Sequence, residues 1–212
     1  NSVELEDLAK AYKQAKALEG NSSKEDFDWT FLGPDNVGGF TKAILYDNTD
    51  ESYTTIIAGA FTGGLYKSTN SGQTWNKING VENNLFVSCI AQASDGTIYA
   101  GTGGKLLGSG IYKSTDGENF EFLESTDPSM TGNEGFSNVQ EIAINPNSGA
   151  VFAATLQGVY YSNDQGGSWN FARSGETEFL IGNSTDVNIG SNGITAVSLN
   201  GLCYISEDGN PN

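Results

Sequence analysis

Residues 63–75 are GGLYKSTNSGQTW, and this stretch recurs along the chain. A second copy, SGIYKSTDGENF, occupies residues 109–120, and a third, QGVYYSNDQGGSW, occupies residues 157–169. A shorter fourth copy, NGLCYISEDG, covers residues 200–209. The serine in the middle of each copy recurs at intervals of 46, 48 and 44 residues, at Ser68, Ser114, Ser162 and Ser206. Such spacing predicts one supersecondary unit that is built several times.

Each repeat contains the same order of strand-like segments. In the first repeat an apolar segment (residues 42–46) precedes a polar turn, and a second segment (56–59) ends in small residues. A third segment carries the Gly-apolar-Tyr-Lys-Ser element, and a fourth (75–78) begins at the aromatic residue. Four short strands in a period of this length are typical of a propeller blade. We therefore predict an all-β fold, a β-propeller of four-stranded antiparallel blades, incomplete, with about 3.5 blades present.

The N-terminal residues follow a different pattern. Residues 3–19 place apolar side chains at three- and four-residue spacing, and Gly20 follows them. This predicts a short N-terminal α-helix that ends at the glycine. We therefore divide the chain into a helix and linker at residues 1–26 and a partial propeller at residues 27–212. The helix either covers an edge of the propeller or packs against a partner.

The residue types within each copy suit a tight turn between two strands. An Asp or Asn oxygen can accept backbone N–H groups, a glycine adopts a positive φ without strain, and an aromatic ring buries a large area. The residues to which we assign this structural role are Ser68, Asn70, Gly72, Trp75, Ser114, Asp116, Gly117, Phe120, Ser162, Asp164, Gly166 and Trp169. The alternative, that these acidic residues bind a metal or act in catalysis, is the less favoured interpretation.

The pattern Ser-x-Asp-x-Gly-x-Thr-Trp in these copies resembles the Asp-box of BNR-repeat propellers, a superfamily with sortilin-like, sialidase-related and xyloglucanase-related members. The motifs lie at residues 68–75, 114–120, 162–169 and 206–209. Asn replaces Asp in the first motif, the second is one residue shorter with Phe for Trp, and the fourth has no aromatic residue. In the resembling families this motif lies at the periphery, away from the central funnel.

A second resemblance lies before the first repeat. Residues 29–39, WTFLGPDNVGG, are similar to the opening segment of many bacterial propellers of this superfamily. In such propellers an N-terminal strand often completes the last blade. The resemblance implies a secreted or cell-surface protein, on the exterior of the bacterial outer membrane, and some such proteins are exported by type IX secretion. It implies a protein or glycan partner at the cell envelope, with the remaining blades in the same longer chain.

Catalytic residues of the two related enzyme families do not match this sequence. Sialidases grip a carboxylate with three arginines, whereas Arg173 is the only arginine here. Xyloglucanase-type propellers carry an acid before a Gly-Gly-x-Tyr element, and Phe61 occupies that position. Other carboxylates, such as Asp95, Asp116 and Glu141, suit turns or solvent-facing positions. We therefore predict a non-catalytic binding scaffold. The alternative is a divergent glycoside hydrolase, sialidase- or xyloglucanase-like, with its catalytic residues in other blades.

Composition excludes several partners. The net charge of −16 repels nucleic acid and anionic lipid, and no apolar stretch approaches the ~20 residues of a membrane-spanning helix. The sequence has no histidine, the commonest metal ligand, so we expect neither a metal nor a cofactor. Cys89 and Cys203 are interpreted as two buried thiols, although a disulfide remains an alternative.

Two connections are longer than the other turns, at residues 103–109 and 125–138. The second contains Met130 and Phe136, which makes it the preferred candidate for partner contact, because binding residues concentrate on loops. Ordinary connections between blades explain both loops equally well.

Overall fold

The computed structural model describes residues 40–81, 86–103, 108–175, 178–209 and 211. The chain divides into two compact units, residues 1–31 and 32–212, and the described residues belong to the second. The predicted N-terminal helix and the segment at residues 29–39 therefore lie outside the described part.

Three four-stranded antiparallel sheets follow one another along the chain, each with its strands in sequence order. The first sheet contains β1 (Thr41–Tyr46), β2 (Ile56–Ala60), β3 (Gly64–Ser68) and β4 (Asn76–Lys77). The second contains β5 (Val87–Gln92), β6 (Ile98–Thr102), β7 (Ile111–Ser114) and β8 (Glu121–Phe122). The third contains β9 (Val139–Ile144), β10 (Val151–Thr155), β11 (Gly158–Ser162) and β12 (Asn170–Phe171).

A small hairpin and a fourth sheet complete the described part. The hairpin pairs β13 (Arg173–Ser174) with β14 (Glu178–Phe179), and the fourth sheet contains β15 (Ser184–Ile189), β16 (Thr195–Leu199) and β17 (Leu202–Ser206). Within the described residues this sheet has three strands.

The four sheets are equivalent units in the same register. The serine of each repeat ends the third strand and pairs with the first residue of the second strand, as Ser68 does with Ile56 and Ser162 with Val151. The inner strands β1, β5, β9 and β15 contact one another in succession. The prediction of an all-β propeller of four-stranded blades is confirmed.

The second strand of each of the first three sheets is buried throughout. A strand covered on both faces by neighbouring sheets has no solvent-facing side and selects apolar and small residues at consecutive positions. The runs Ile56–Ala60, Ile98–Thr102 and Val151–Thr155 meet that requirement.

The hydrophobic core consists of three clusters of side chains, each contributed by consecutive sheets. The cluster of the first and second sheets includes Ile57, Leu65, Ile98, Tyr112 and Phe120. The cluster of the second and third includes Tyr99, Ile111, Phe136, Val139 and Tyr160. The cluster of the third and fourth includes Phe152, Val159, Val187, Val197 and Leu199. Each blade is therefore stabilised mainly by its neighbours.

The first and last sheets expose apolar side chains. Ile44 and Tyr46 of β1 are 64% and 55% exposed, and Leu202 and Ile205 of β17 are 61% and 66% exposed. In contrast, Leu45 packs against the core of the first two sheets. Ile44, Tyr46 and Ile205 lie on faces that an interior blade would bury, because an end sheet is covered on one face alone. Leu202 lies on the opposite face to Ile205 and is exposed because β17 is an edge strand of the described sheet.

Several local features differ from the sequence-based expectation. The outermost strands β4, β8 and β12 have two residues each, shorter than the four-residue segments predicted. The hairpin of β13 and β14 and the short 3-10 helices Glu124–Thr126 and Glu134–Asn138 had no sequence signal that we recognised.

Candidate functional site

The repeated turns between the third and fourth strands, here termed corner turns, span residues 68–75, 114–120 and 162–169. In each turn the serine Oγ accepts the backbone N–H of the glycine, at 2.8 Å from Gly72, 2.9 Å from Gly117 and 2.8 Å from Gly166. These glycines have φ values of 82°, 67° and 91°. Positive φ is accessible to glycine at little cost, which explains the residue at this position.

The Asp or Asn side chain of each corner turn is held inside the same turn. The serine hydroxyl donates to Asn70 Oδ1 at 3.0 Å and to Asp164 Oδ1 at 2.7 Å. The same oxygens accept the backbone N–H of Thr74 and of Ser168, each at 2.9 Å. In the second turn, Asp116 Oδ1 accepts three hydrogen bonds, from the Ser114 hydroxyl at 2.9 Å and from the backbone N–H groups of Glu118 at 2.9 Å and Asn119 at 2.8 Å.

These hydrogen bonds stabilise the ionised carboxylates. The side chain of Ser168, followed by that of Ser162, lowers the pKa of Asp164 to about 2. Backbone and side-chain hydrogen bonds from Asn119 lower the pKa of Asp116 well below its usual range. A carboxyl group that serves as general acid near neutral pH needs a raised pKa, so this geometry does not suit acid catalysis.

Replacement of Asp164 with asparagine is expected to reduce the acid sensitivity of the fold. Because the folded-state pKa is depressed, the stabilisation by Asp164 is present above its ordinary pKa of 3.8 and is lost as the pH falls toward about 2. Asn70 shows that an amide oxygen accepts the equivalent backbone bond, so the change at pH 7 should be small. Urea unfolding from pH 2 to 7 should show a shallower decline in D164N than in the wild type.

The matched control reverses the change in the first corner turn. Asn70→Asp introduces a titrating group at the equivalent position and should steepen the decline over the same pH range. Equal pH profiles for the wild type and D164N would contradict this account of the turn.

Corner turns also join neighbouring blades. Lys67 Nζ donates to Glu118 Oε1 at 3.3 Å, which links the end of β3 to the next corner turn. At the equivalent position one blade on, Lys113 Nζ donates to the backbone oxygen and the Oε1 of Gln165, both at 3.2 Å. The lysine of the Tyr-Lys-Ser element in the first and second blades therefore holds the corner turn of the following blade.

The aromatic residues of the corner turns differ in burial. Phe120 is 3% exposed and belongs to the core of the first two sheets. Trp75 and Trp169 are half-buried, and the ring of Trp169 lies 5.3 Å from that of Phe136.

The two residues predicted for partner contact have different environments. Met130 is 54% exposed, so it is available to a partner. Phe136 is 0% exposed and packs against Tyr160, with ring centroids 4.5 Å apart. The prediction was wrong for Phe136, because the 3-10 helix Glu134–Asn138 turns this ring into the core of the second and third sheets.

The inner strands bring charged side chains to the same level of successive blades. A register shift places a β-bulge at the start of β1, β5, β9 and β15, and the residue after the bulge is Ala43, Cys89, Glu141 or Asp186. Bulges commonly redirect side chains at the rims of barrels and near functional sites. The four positions follow one another on adjacent inner strands.

Glu141 is a strand residue rather than the turn or solvent-facing residue that the sequence suggested. It lies half-buried on β9, and burial raises the pKa of its carboxyl group. The backbone N–H of Ile142 opposes this rise, the charge of Asp186 adds to it, and Lys42 opposes it. The sequence did not reveal that Glu141 and Asp186 lie near each other, because they are 45 residues apart. Only the shared register of β9 and β15 brings them to equivalent positions on adjacent strands. In contrast, Asp95 accepts the Thr97 N–H within a turn, as expected.

Phe61 lies in a row of aromatic rings. Its ring stacks on that of Phe40, with centroids 5.2 Å apart, and lies 6.0 Å from that of Phe86. Phe40 directly precedes β1, Phe61 directly follows β2, and Phe86 directly precedes β5.

The two cysteines have different environments. Cys89 is buried and burial raises the pKa of its thiol, whereas Cys203 is exposed on β17. Both are free thiols, so the expectation of a buried thiol is confirmed for Cys89 and wrong for Cys203. Cys203 is exposed because the outer face of the last sheet is uncovered.

The described residues contain neither a metal-binding cluster nor a membrane-spanning helix. Across residues 40–209, apart from the gaps given above, His, Cys, Asp and Glu side chains form no group of three or more that could hold a metal ion. In the same part of the chain, no helix has the length and apolar character needed to span a bilayer.

No protein-family model matches the chain, and no curated protein matches it. Several solved structures are similar to the chain. An ancestral GH74 enzyme is similar over 86% of this chain and 24% of its own length, with a TM-score of 0.62 and 22% identity. PorZ, a bacterial surface component of the type-IX secretion system of Porphyromonas gingivalis, is similar over 88% of this chain and 28% of its own, with a TM-score of 0.62 and 14% identity.

A third similar structure is the extracellular domain of a hybrid two component system from B. thetaiotaomicron. It covers 78% of this chain and 20% of its own length, with a TM-score of 0.56 and 16% identity. At these identities the similarity shows the fold, which is that of a β-propeller. This chain spans between 20% and 28% of the three proteins.

Proposed function

We propose that this chain is part of a non-catalytic propeller that binds a protein or a glycan outside the cell or at its surface. The observation that carries the proposal is the use of the recurring acidic side chains. Asp116 and Asp164 direct their oxygens into their own corner turns, and their lowered pKa values oppose a role as proton donors.

The proposed location is the exterior of the bacterial outer membrane, with export by type IX secretion. Similarity in fold to PorZ and to an extracellular domain supports this location. The charge of −16 is compatible with a protein that avoids anionic membrane surfaces. The corner turns, on this proposal, are Asp-boxes of a BNR-type, sortilin-like repeat.

Further blades of the same longer chain are proposed to cover the two end sheets. In the second and third sheets, Phe122 and Phe171 of the fourth strand lie 5.5 and 4.2 Å from Tyr112 and Tyr160. Beside the equivalent Tyr204 lies a cavity of about 190 Å³. An added outer strand would fill this cavity and pair with the edge of β17, which limits unwanted association of an exposed edge.

A glycoside hydrolase remains the second candidate. The specific observation in its favour is the pair Glu141 and Asp186 on neighbouring inner strands, because glycoside hydrolases use two carboxyl groups and burial raises the pKa of Glu141, as a general acid requires. The similarity to a GH74 enzyme gives this candidate its fold-level support.

Hydrolysis assays on xyloglucan, other β-glucans and sialosides test the proposal. The wild-type protein is expected to show no turnover of any of these substrates. Turnover that is abolished in Glu141→Gln and retained in the matched control Glu121→Gln, an exposed carboxylate on β8, would overturn the non-catalytic proposal.

A further inference from the structure

A groove lies beside the outer strand of the third sheet, where the loop from the second sheet reaches it. We name it the outer groove, with a volume of about 310 Å³. Its principal lining residues are Asn133, Tyr160, Trp169, Phe171, Arg173 and Phe179. A volume of this size lies at the lower end of the range for small-molecule sites, and a lining of rings with a few polar groups is typical of them.

Two buried polar atoms belong to residues of this groove. Tyr160 Oη and Trp169 Nε1 are both buried and lack a hydrogen-bond partner among the residues that the structure describes. Tyr160 as a whole is 3% exposed. An unsatisfied buried polar group is destabilising, so two of them in one groove indicate a purpose other than stability.

The second blade shows that the tyrosine hydroxyl can be satisfied by the fold. Tyr112 is equivalent to Tyr160, and its hydroxyl lies 3.1 Å from Ser109 Oγ. Gln157 occupies the position of Ser109 in the third blade. The unpaired hydroxyl of Tyr160 is therefore a property of the third blade and not of the repeat.

The rings of the groove form a continuous apolar wall. Tyr160 and Phe171 lie 4.2 Å apart, and Phe171 and Phe179 lie 6.4 Å apart. Phe179 is 46% exposed, so this wall is accessible from solvent. Such a wall suits a ligand that has an apolar face and hydroxyl groups at its edge.

Charges at the groove oppose each other. The Arg173 guanidinium lies 4.6 Å from the centroid of the Phe179 ring. Burial together with the negative charge of Glu134 raises the pKa of the lining residue Tyr160 to about 12. Because Arg173 lines the groove, the negative charge of Glu134 acts on Tyr160, and the chain has a net charge of −16, an anionic ligand gains little here and a neutral ligand is favoured.

We propose that the outer groove binds a neutral pyranose unit of a glycan, with the sugar ring against Phe171 and Phe179 and its hydroxyl groups on Tyr160 Oη and Trp169 Nε1, which side-chain rotation on binding uncovers. A pyranose whose hydroxyls are equatorial presents C–H groups on its faces and both donors and acceptors at its rim. The indole N–H requires an acceptor, and the phenol can donate or accept. This inference rests on the glycan branch of the proposed function and assigns that branch a site.

The test compares Tyr160→Phe with the matched control Tyr112→Phe in the full chain. The probe is cellotriose, a neutral β-linked glucose trisaccharide, titrated by calorimetry and by NMR; a trisaccharide of glucuronic acid is the charged comparison. Y160F is expected to weaken cellotriose binding about tenfold, the value of one strong hydrogen bond, without lowering the melting temperature. Y112F is expected to lower the melting temperature and to leave the binding constant unchanged.

Three outcomes would overturn the site. They are no binding of cellotriose by the wild type, tighter binding of the glucuronic acid trisaccharide, and equal weakening in the two variants. Each is distinguishable from failure of the proposed non-catalytic function, because that failure would be observed as hydrolysis of a substrate. Cellotriose bound at the outer groove and left intact agrees with both proposals, whereas cleavage that depends on Glu141 contradicts the non-catalytic function alone.

Discussion

Replacement of Phe136 with alanine is expected to reduce the free energy of unfolding by about 3–5 kcal/mol. The ring is 0% exposed and lies 4.5 Å from Tyr160 and 5.3 Å from Trp169, centroid to centroid. Its removal leaves a cavity in the core of the second and third sheets, whose walls are strands that relax little. Chemical unfolding in guanidinium at pH 7 measures the loss.

Met130 provides the control for this loop. It lies in the same connection and is 54% exposed, so Met130→Ala should change the free energy of unfolding by less than about 0.5 kcal/mol. If both variants lost the same small amount, Phe136 would not be a core residue.

Replacement of Gly80 with alanine is expected to cost about 2–6 kcal/mol. Two effects combine at this position: a φ of +94°, and a Cβ that would lie 2.0 Å from the backbone oxygen of Phe120. The positive φ contributes about 1–3 kcal/mol, and displacement of the neighbouring backbone contributes about 1–3 kcal/mol. Asn79 bridges to Asn119 beside this contact, so the strain falls on the junction of two blades. Thermal unfolding and guanidinium unfolding both measure the loss of stability.

Gly149 separates the two effects. Its φ is +73°, and an added Cβ would meet no atom within 4 Å. Gly149→Ala should therefore cost about 1 kcal/mol, from the backbone conformation alone. A cost for G80A as small as that for G149A would show that the blades separate easily at Phe120.

Stability and recognition depend on the same junctions between blades. Phe136 fills the core of the second and third sheets, and the loop that carries it also brings Asn133 to the outer groove. Disruption of the ring should therefore also disturb the groove, whereas Tyr160→Phe changes one hydroxyl and retains the ring contacts with Phe136 and Phe171.

Much of the fold could be predicted because its information is local and repeated. The third strands were found from the Gly-apolar-Tyr element, and the segment predicted at residues 42–46 lies within β1, Thr41–Tyr46. The second strands were predicted to within one residue, since runs such as Ile98–Thr102 are apolar on both faces. Each copy supports the others, so errors in one turn did not alter the blade pattern.

The candidate sites were less predictable because they combine residues from different blades. Glu141 and Asp186 are brought together by a register that the sequence does not display. Tyr160 was recognised as a repeat residue, but its unpaired hydroxyl depends on the substitution at Gln157 and on how the preceding loop packs.

The sequence by itself determined the architecture of this protein, because strand periodicity, turn glycines and corner-turn serines act over a few residues and recur in every blade. Only the tertiary structure decided which side chains are available. Phe136 and Met130 belong to one loop, yet one ring lies in the core and the other side chain lies in solvent. A side chain is buried when the neighbouring blade packs against it, and a polar group is satisfied when an atom distant in sequence lies within hydrogen-bond distance. Neither condition is encoded in a local sequence pattern.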